Sequence, residues 1–178
     1  NLLKLGVSED CDLGPVINRG QHKSIISEIQ STEKEGGVVI CGGSCPSEQE
    51  LKNGYYIEPT VVEVFDKCAR INLKEIFGPV TTLQKVSNFE EALNIANFGD
   101  YGLTAAIHTK SIDTALKFVR EIKAGVANVN LGTFGSEPHM PFGGFGASGN
   151  GTREPGLEAV NVYTELKNIS LYSKGSEG

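Results

Sequence analysis

Four groups of residues have types and spacings that could do chemistry. The first is Glu75-Ile-Phe77-Gly78-Pro79, which joins a carboxylate and an aromatic ring to a rigid turn. A carboxylate can accept hydrogen bonds from two sugar hydroxyls, and a ring can pack on a planar molecule, so the pair could clamp a nucleoside-like ligand. The same residues also suit a plain lead-in to a strand with an exposed glutamate. The second group is Gly144-Phe-Gly146-Ala-Ser-Gly149, with G-x-G-x-x-G spacing. That spacing cradles a pyrophosphate when a strand runs into it and a helix starts inside it. Here Pro138-His-Met-Pro141-Phe142 precedes it and Asn150-Gly-Thr152 follows, so a glycine-rich structural loop is the expected reading, with phosphate binding as the alternative. The third is His139, an imidazole for acid, base or ligand work. No recognisable nucleophile turn accompanies it, and it reads as a loop histidine. The fourth is the set Cys11, Cys41, Cys45 and Cys68. Cys41 and Cys45 overlap zinc-ligand spacing, but a structural zinc site needs four ligands. There is no second pair, and His22, His108 and His139 are scattered, so free thiols and no metal are expected.

The chain that must position these groups has 178 residues, 39% hydrophobic and 21% charged, with net charge −6. A chain of this size buries roughly 70% of its unfolded surface and needs no staple to hold a core. No apolar run approaches the roughly 18 residues of a membrane span. The acidic balance gives no footprint for nucleic acid, and the charge is too mixed for wholesale disorder. Asn150-Gly-Thr152 and Asn168-Ile-Ser170 match the glycosylation pattern, which is common by chance. No signal peptide is visible, and a cytoplasmic location is expected. The chain starts at Asn1 and its only methionine is Met140, so it reads as part of a longer translation product.

Three segments carry helical period. Around His22 to Glu35, Ile25, Ile26 and Ile29 recur before Gly36-Gly37. From Asn88 to Phe98, Phe89, Ala92, Leu93 and Ala96 recur, with Ser87 and Glu90 as the expected capping box. From Ile112 to Lys123, Ile112, Ala115, Leu116, Val119 and Ile122 form the expected buried stripe, with Gly125 where a C′ glycine belongs. Strands are expected at Val38 to Cys41, Tyr55 to Val64, Pro79 to Val86, Leu103 to His108 and Gly125 to Asn130. The alternation of strand and helix from 79 to 130 predicts an α/β layer with parallel strands. Leu131 to Gly156 is rich in glycine and proline and has no period, the mark of a long functional loop. Val160 to Leu171 alternates, with Val162, Thr164 and Leu166 on one side and Tyr163, Glu165 and Lys167 on the other. It reads as a terminal strand able to pair with another sheet edge.

Six segments in order carry a resemblance: Leu13-Gly-Pro15-Val-Ile17, Gly54-Tyr-Tyr-Ile-Glu-Pro59-Thr60-Val61, Glu75-Ile-Phe77-Gly78-Pro79-Val80, Tyr101-Gly-Leu103-Thr-Ala-Ala, Gly125-Val-Ala-Asn-Val-Asn130, and Pro141-Phe142-Gly143-Gly144 through Ser148-Gly149. Together the series resembles the C-terminal part of the aldehyde dehydrogenase superfamily, from about Leu5 to Leu171. The resemblance implies an aldehyde dehydrogenase-like α/β catalytic-domain fragment, its mostly parallel sheet flanked by helices, across residues 1–159. Residues 160–178 would be an oligomerisation strand and tail, with Tyr163 to Leu171 as the terminal strand. The implied chemistry is oxidation of an aldehyde to an acid with NAD or NADP, through a thiohemiacetal on a cysteine thiolate.

By the same resemblance, Glu75 binds the nicotinamide ribose hydroxyls, Phe77 lies beside the nicotinamide, and Phe142 lines the substrate pocket. Leu131 to His139 corresponds to the variable loop at the substrate mouth. Gly135-Ser-Glu137-Pro-His139-Met140 and Thr152-Arg153-Glu154-Pro155 resemble branches acting on semialdehydes. The family nucleophile lies several tens of residues upstream of the Gly-Pro segment, and none of the four cysteines matches it. The general-base glutamate, the oxyanion amide and the phosphate-binding domain would also precede Asn1. The isolated chain is therefore expected to be inactive, with a homo-oligomer or the missing N-terminal half as partner. The competing reading is a non-catalytic remnant acting as an oligomerising or binding module.

Overall fold

Asn18 is the first residue to set a helix boundary: its side chain accepts the N–H of Gln21 at 2.9 Å and opens α1, Arg19–Lys34. A short polar side chain in this role satisfies one of the donors that a helix start leaves unpaired. The computed structural model describes residues 3–173 and divides the chain into two units, at Gly99 and Asp100.

In the first unit, α1 is followed by β1 (Val38–Cys41), β2 (Thr60–Glu63), the short α2 (Arg70–Leu73), β3 (Val80–Leu83) and α3 (Phe89–Ala96). β2 and β3 run parallel, with Thr60 opposite Val80 and Glu63 opposite Leu83. β1 pairs antiparallel with β2, and the register slips between Val39 and Cys41, which leaves Ile40 as the extra residue of a bulge. The core follows from the apolar stripe of α1. Ile25 and Ile29 pack with Ile57, and Val62, Val64 and Ile71 form an adjoining cluster; Val39, Ile76 and Val80 touch both.

In the second unit, the elements are β4 (Tyr101–Gly102), β5 (Thr104–Ile107), α4 (Ile112–Glu121), β6 (Val126–Val129), β7 (Phe145–Gly146) and the single turn α5 (Ala159–Val162). β5 and β6 are parallel across the α4 crossover, and β4 pairs antiparallel with β7. Among the described residues, no helix is long and apolar enough to cross a membrane.

The structure changes several expectations. The strands form three separate small sheets, β1-β2-β3, β4-β7 and β5-β6, in which β2–β3 and β5–β6 are parallel as expected and β1–β2 and β4–β7 are antiparallel. The segment between β1 and β2 carries no crossover helix, and without one the chain turns back on itself. The cap of α3 is Asn88, which accepts the N–H of Glu91 at 2.9 Å, while the Glu91 carboxylate accepts the N–H of Ser87 at 2.7 Å. The expected Ser87–Glu90 box is thus displaced by one residue. On α4 the buried side chains are Ala115 and Phe118, with Ile122 just beyond, whereas Ile112, Leu116 and Val119 remain exposed. Gly125 is not a helix-ending glycine. The helix closes at Ile122, and a Cβ on Gly125 would stand 1.6 Å from the Gly143 carbonyl oxygen. Its role is to let two backbones touch.

The first residues of the expected terminal strand form α5 instead. Val160 and Asn161 donate to Leu157 and Glu158 in three-residue turns, the local pairing open to a segment with no sheet edge beside it. From Thr164 to Ser173 the residues are exposed and lie in no strand of the chain itself. The expected tail from 174 to 178 lies outside the described residues.

Candidate functional site

One face of α1 organises the stretch that carries Glu75 and Phe77. Gln21, Ile25 and Glu28 recur at i, i+4 and i+7, so they stack on one side of the helix. Each grips a different point of the chain between Arg70 and Gly78. The Gln21 amide nitrogen donates to the carbonyl of Ile76 at 2.7 Å and to that of Phe77 at 3.2 Å. Ile25, fully buried, lies under Gly78, where a Cβ would come within 2.4 Å of the Ile25 Cδ1. The Glu28 carboxylate, only 8% exposed, accepts the Arg70 guanidinium at 2.7 Å and the Lys74 ammonium. The hydrogen bond from Lys74 holds the Glu28 carboxyl below the usual carboxylate range, helped by the charges of Lys74 and Arg70; burial works against them.

What this grip holds is a backbone that would otherwise relax. Phe77 has φ +52°, in the left-handed region that a bulky residue rarely adopts. Its ring is 73% exposed, and Glu75 is exposed beside it. Neither side chain packs in the core of its unit; the turn presents both outward. An open depression of about 310 Å³ runs along this segment, with Lys74, Phe77, Gly78, Thr81 and Thr82 on its walls. Strain held by surrounding structure, with an aromatic ring and a carboxylate projecting from it, is what a preorganised ligand contact requires.

In the second unit, Phe142 is half-buried, and its backbone exchanges two hydrogen bonds with Glu154: N–H to carbonyl at 3.1 Å one way and 2.9 Å the other. The Arg153 guanidinium lies 5.3 Å from the centre of the Phe145 ring, within cation–π range. Asn130 ends β6 with φ +57°, and its side-chain amide brackets Thr109, accepting its N–H at 2.9 Å and donating to its carbonyl at 3.0 Å.

The glycine-rich loop has a geometry unlike a pyrophosphate cradle. Phe145–Gly146 is itself a strand, and no helix begins between it and Ala159. The loop amides that would face a phosphate are used internally: Ala147 donates to Asp100 at 2.8 Å and Ser148 to Phe145 at 3.0 Å. Gly144 and Gly149 are needed because a Cβ on either would meet Ser148 or Gly144 at under 2.5 Å. His139 and His108 are exposed, and His22 contacts the carbonyl oxygen of Tyr56 at 3.1 Å. All four cysteines are free, and among the described residues no group of three or more His, Cys, Asp or Glu side chains is placed to hold a metal.

Sequence reasoning missed Gln21, Glu28, Arg70 and Lys74. One signal was available: Glu28 sits between Ile25 and Ile29 on the apolar face of α1, and a charge there needs partners. The identity of those partners, more than 40 residues away, was not readable.

The profile of the aldehyde dehydrogenase family matches residues 2–169. The chain is 39% identical over 168 residues to the alpha-ketoglutarate semialdehyde dehydrogenase of Haloferax volcanii, covering 94% of this chain and 35% of that protein. It is 42% identical over 159 residues to retinaldehyde dehydrogenase 3 of Rattus norvegicus, covering 89% and 30%. Among solved structures, the betaine aldehyde dehydrogenase of Staphylococcus aureus in complex with NAD+ superposes with a TM-score of 0.85 at 32% identity, covering 97% of this chain and 36% of that one. The chain belongs to the aldehyde dehydrogenase family. It spans about a third of the length of these relatives.

Proposed function

We propose that this chain is the C-terminal portion of an NAD(P)-dependent aldehyde dehydrogenase and that it supplies part of the cofactor and substrate contacts. The observation that carries this reading is the outward presentation of Glu75 and Phe77 on a turn that three residues of α1 hold in place. The Glu75 carboxylate has free acceptor geometry for the two hydroxyls of the nicotinamide ribose. The exposed Phe77 ring offers a flat face to the nicotinamide. NAD or NADP would serve as the hydride acceptor. Phe142 would contribute an apolar wall to the substrate pocket.

The nucleophilic cysteine and the general-base glutamate belong, on this reading, to a segment outside these residues, and the chain alone is inactive. A semialdehyde is the proposed substrate class, supported by the loop residues Gly135 to Met140 and Thr152 to Pro155 and by the semialdehyde dehydrogenases of Haloferax volcanii and Bacillus subtilis, the latter 37% identical over 163 residues.

The test is aldehyde-dependent reduction of NAD+ or NADP+, followed by absorbance, with this chain alone and within the longer protein. Turnover is expected only in the longer protein. There, Glu75→Gln should slow hydride transfer and raise the cofactor KM severalfold. Turnover by this chain alone, abolished by replacing one of its four cysteines, would overturn the assignment of the nucleophile. Unchanged cofactor kinetics in Glu75→Gln would overturn the role of Glu75.

A further inference from the structure

A cysteine and a histidine meet in the first unit, on residues that the proposed cofactor contact does not use. The Cys45 Sγ lies 3.3 Å from His22 Nε2, and the same nitrogen lies 3.1 Å from the Tyr56 carbonyl oxygen. A carbonyl oxygen only accepts, so Nε2 carries a hydrogen, and that N–H is shared between the carbonyl and the sulfur. Both partners are held in place. His22 is fixed on the first turn of α1, with the Tyr55 ring 6.2 Å away. The loop bearing Cys45 is pinned at the preceding residue: Ser44 Oγ donates to the Glu58 carboxylate at 2.6 Å, and the Ser44 carbonyl accepts the Glu58 N–H at 3.0 Å. Pro46, on the other side, is buried. Cys45 itself is exposed.

A thiol reacts as its thiolate, and an N–H aimed at the sulfur offers that anion a charge-assisted hydrogen bond as it forms. Cys41 and Cys68 are also exposed but have no imidazole partner among the hydrogen bonds of the described residues. We propose that Cys45 is a modification site: a thiol that His22 readies for addition to soft electrophiles of the α,β-unsaturated carbonyl class. In the addition, the thiol proton passes to solvent and the sulfur electron pair forms a bond to the β-carbon. The carbon–carbon π pair moves to the α-carbon, which takes a proton from water. The net change is addition of S–H across the double bond, with no oxidant or reductant required. The inference stands apart from the cofactor role given to Glu75 and Phe77.

The experiment treats this chain with limiting N-ethylmaleimide at neutral pH and follows adduct formation at each cysteine by peptide mass spectrometry. Cys45 is expected to react about tenfold or more faster than Cys41 and Cys68. His22→Phe should bring Cys45 down to their rate and leave theirs unchanged. Should His22→Phe disturb the fold, the rates at Cys41 and Cys68 would shift too, and the smaller His22→Leu, which also lacks an N–H donor, then decides. Equal rates at the three exposed cysteines in the parent chain would overturn the proposal, as would an undiminished Cys45 rate in His22→Leu.

Discussion

Gln21 reaches across 55 positions of sequence to donate to the carbonyl of Ile76 at 2.7 Å, and the bond ties the first turn of α1 to the strained turn at Phe77. The helix that builds the core of the first unit is therefore also the part that holds the turn presenting Glu75 and Phe77.

Glu28→Gln keeps the shape of the side chain and removes its charge. Loss of two charge-assisted hydrogen bonds should cost about 1–3 kcal/mol at neutral pH. The folded carboxyl titrates below its ordinary range because Lys74 and Arg70 hold it ionised. Its contribution is therefore complete above the ordinary carboxylate range and is lost as pH falls through the lower folded value. Urea midpoints across the acid range should fall steeply for the parent chain and less steeply for the variant. Parallel profiles would count against the ion triad.

Phe77→Gly separates strain from function. The ring is mostly exposed and the backbone sits at φ +52°, so glycine should leave stability within about 1 kcal/mol of the parent. In the longer protein the same change should weaken cofactor binding severalfold. Urea denaturation and NAD(P) titration check the two halves.

Gly125→Ala places a methyl group where the Gly143 carbonyl already stands. A clash with backbone cannot be relieved by a rotamer change, and the expected loss is about 3 kcal/mol or more. Gly151→Ala is the control. Its φ is +95° but no atom lies within 4 Å, so only the backbone penalty of about 1–2 kcal/mol should appear. Comparable losses at the two positions would refute the contact argument.

Leu166 is fully exposed, as are Leu171 and Tyr172 nearby. If residues 160–171 pair with a sheet edge of another chain, Leu166→Lys should weaken self-association, because edge lysines oppose pairing. Sedimentation velocity over a concentration series measures this. A monomeric parent chain would remove the oligomerisation reading.

Much of the fold was legible where it depended on near neighbours in sequence. The apolar recurrence in α1 and α3 placed those helices to within a few residues, and the strand expected at Gly125 to Asn130 holds β6, whereas the strand expected at Tyr55 to Val64 is realised only at Thr60–Glu63. What was not legible depended on distant partners. The side of α4 that is buried is set by the sheet beneath it, so Phe118 took the place that the pattern gave to Leu116 and Val119. Gly125 looked like a helix end because its reason, the Gly143 carbonyl, lies 18 positions later. At the candidate site, Glu75 and Phe77 stood out by type and by resemblance. The grip of Gln21 and Glu28 joins residues that only the fold brings together.

Asn130 gives the second unit a property that concerns change over generations. By bracketing Thr109 with both ends of its amide, it finishes β6 with a side chain where another strand residue would have continued the ladder. The long glycine-rich segment therefore leaves from an anchored point. Exchange is freest from Thr133 to Met140, where every residue is exposed, while Gly143 against Gly125 and β7 on β4 tie the later part of the segment back to the strands. A fold built this way can test new sequences in the first part of the loop while its strands stay paired.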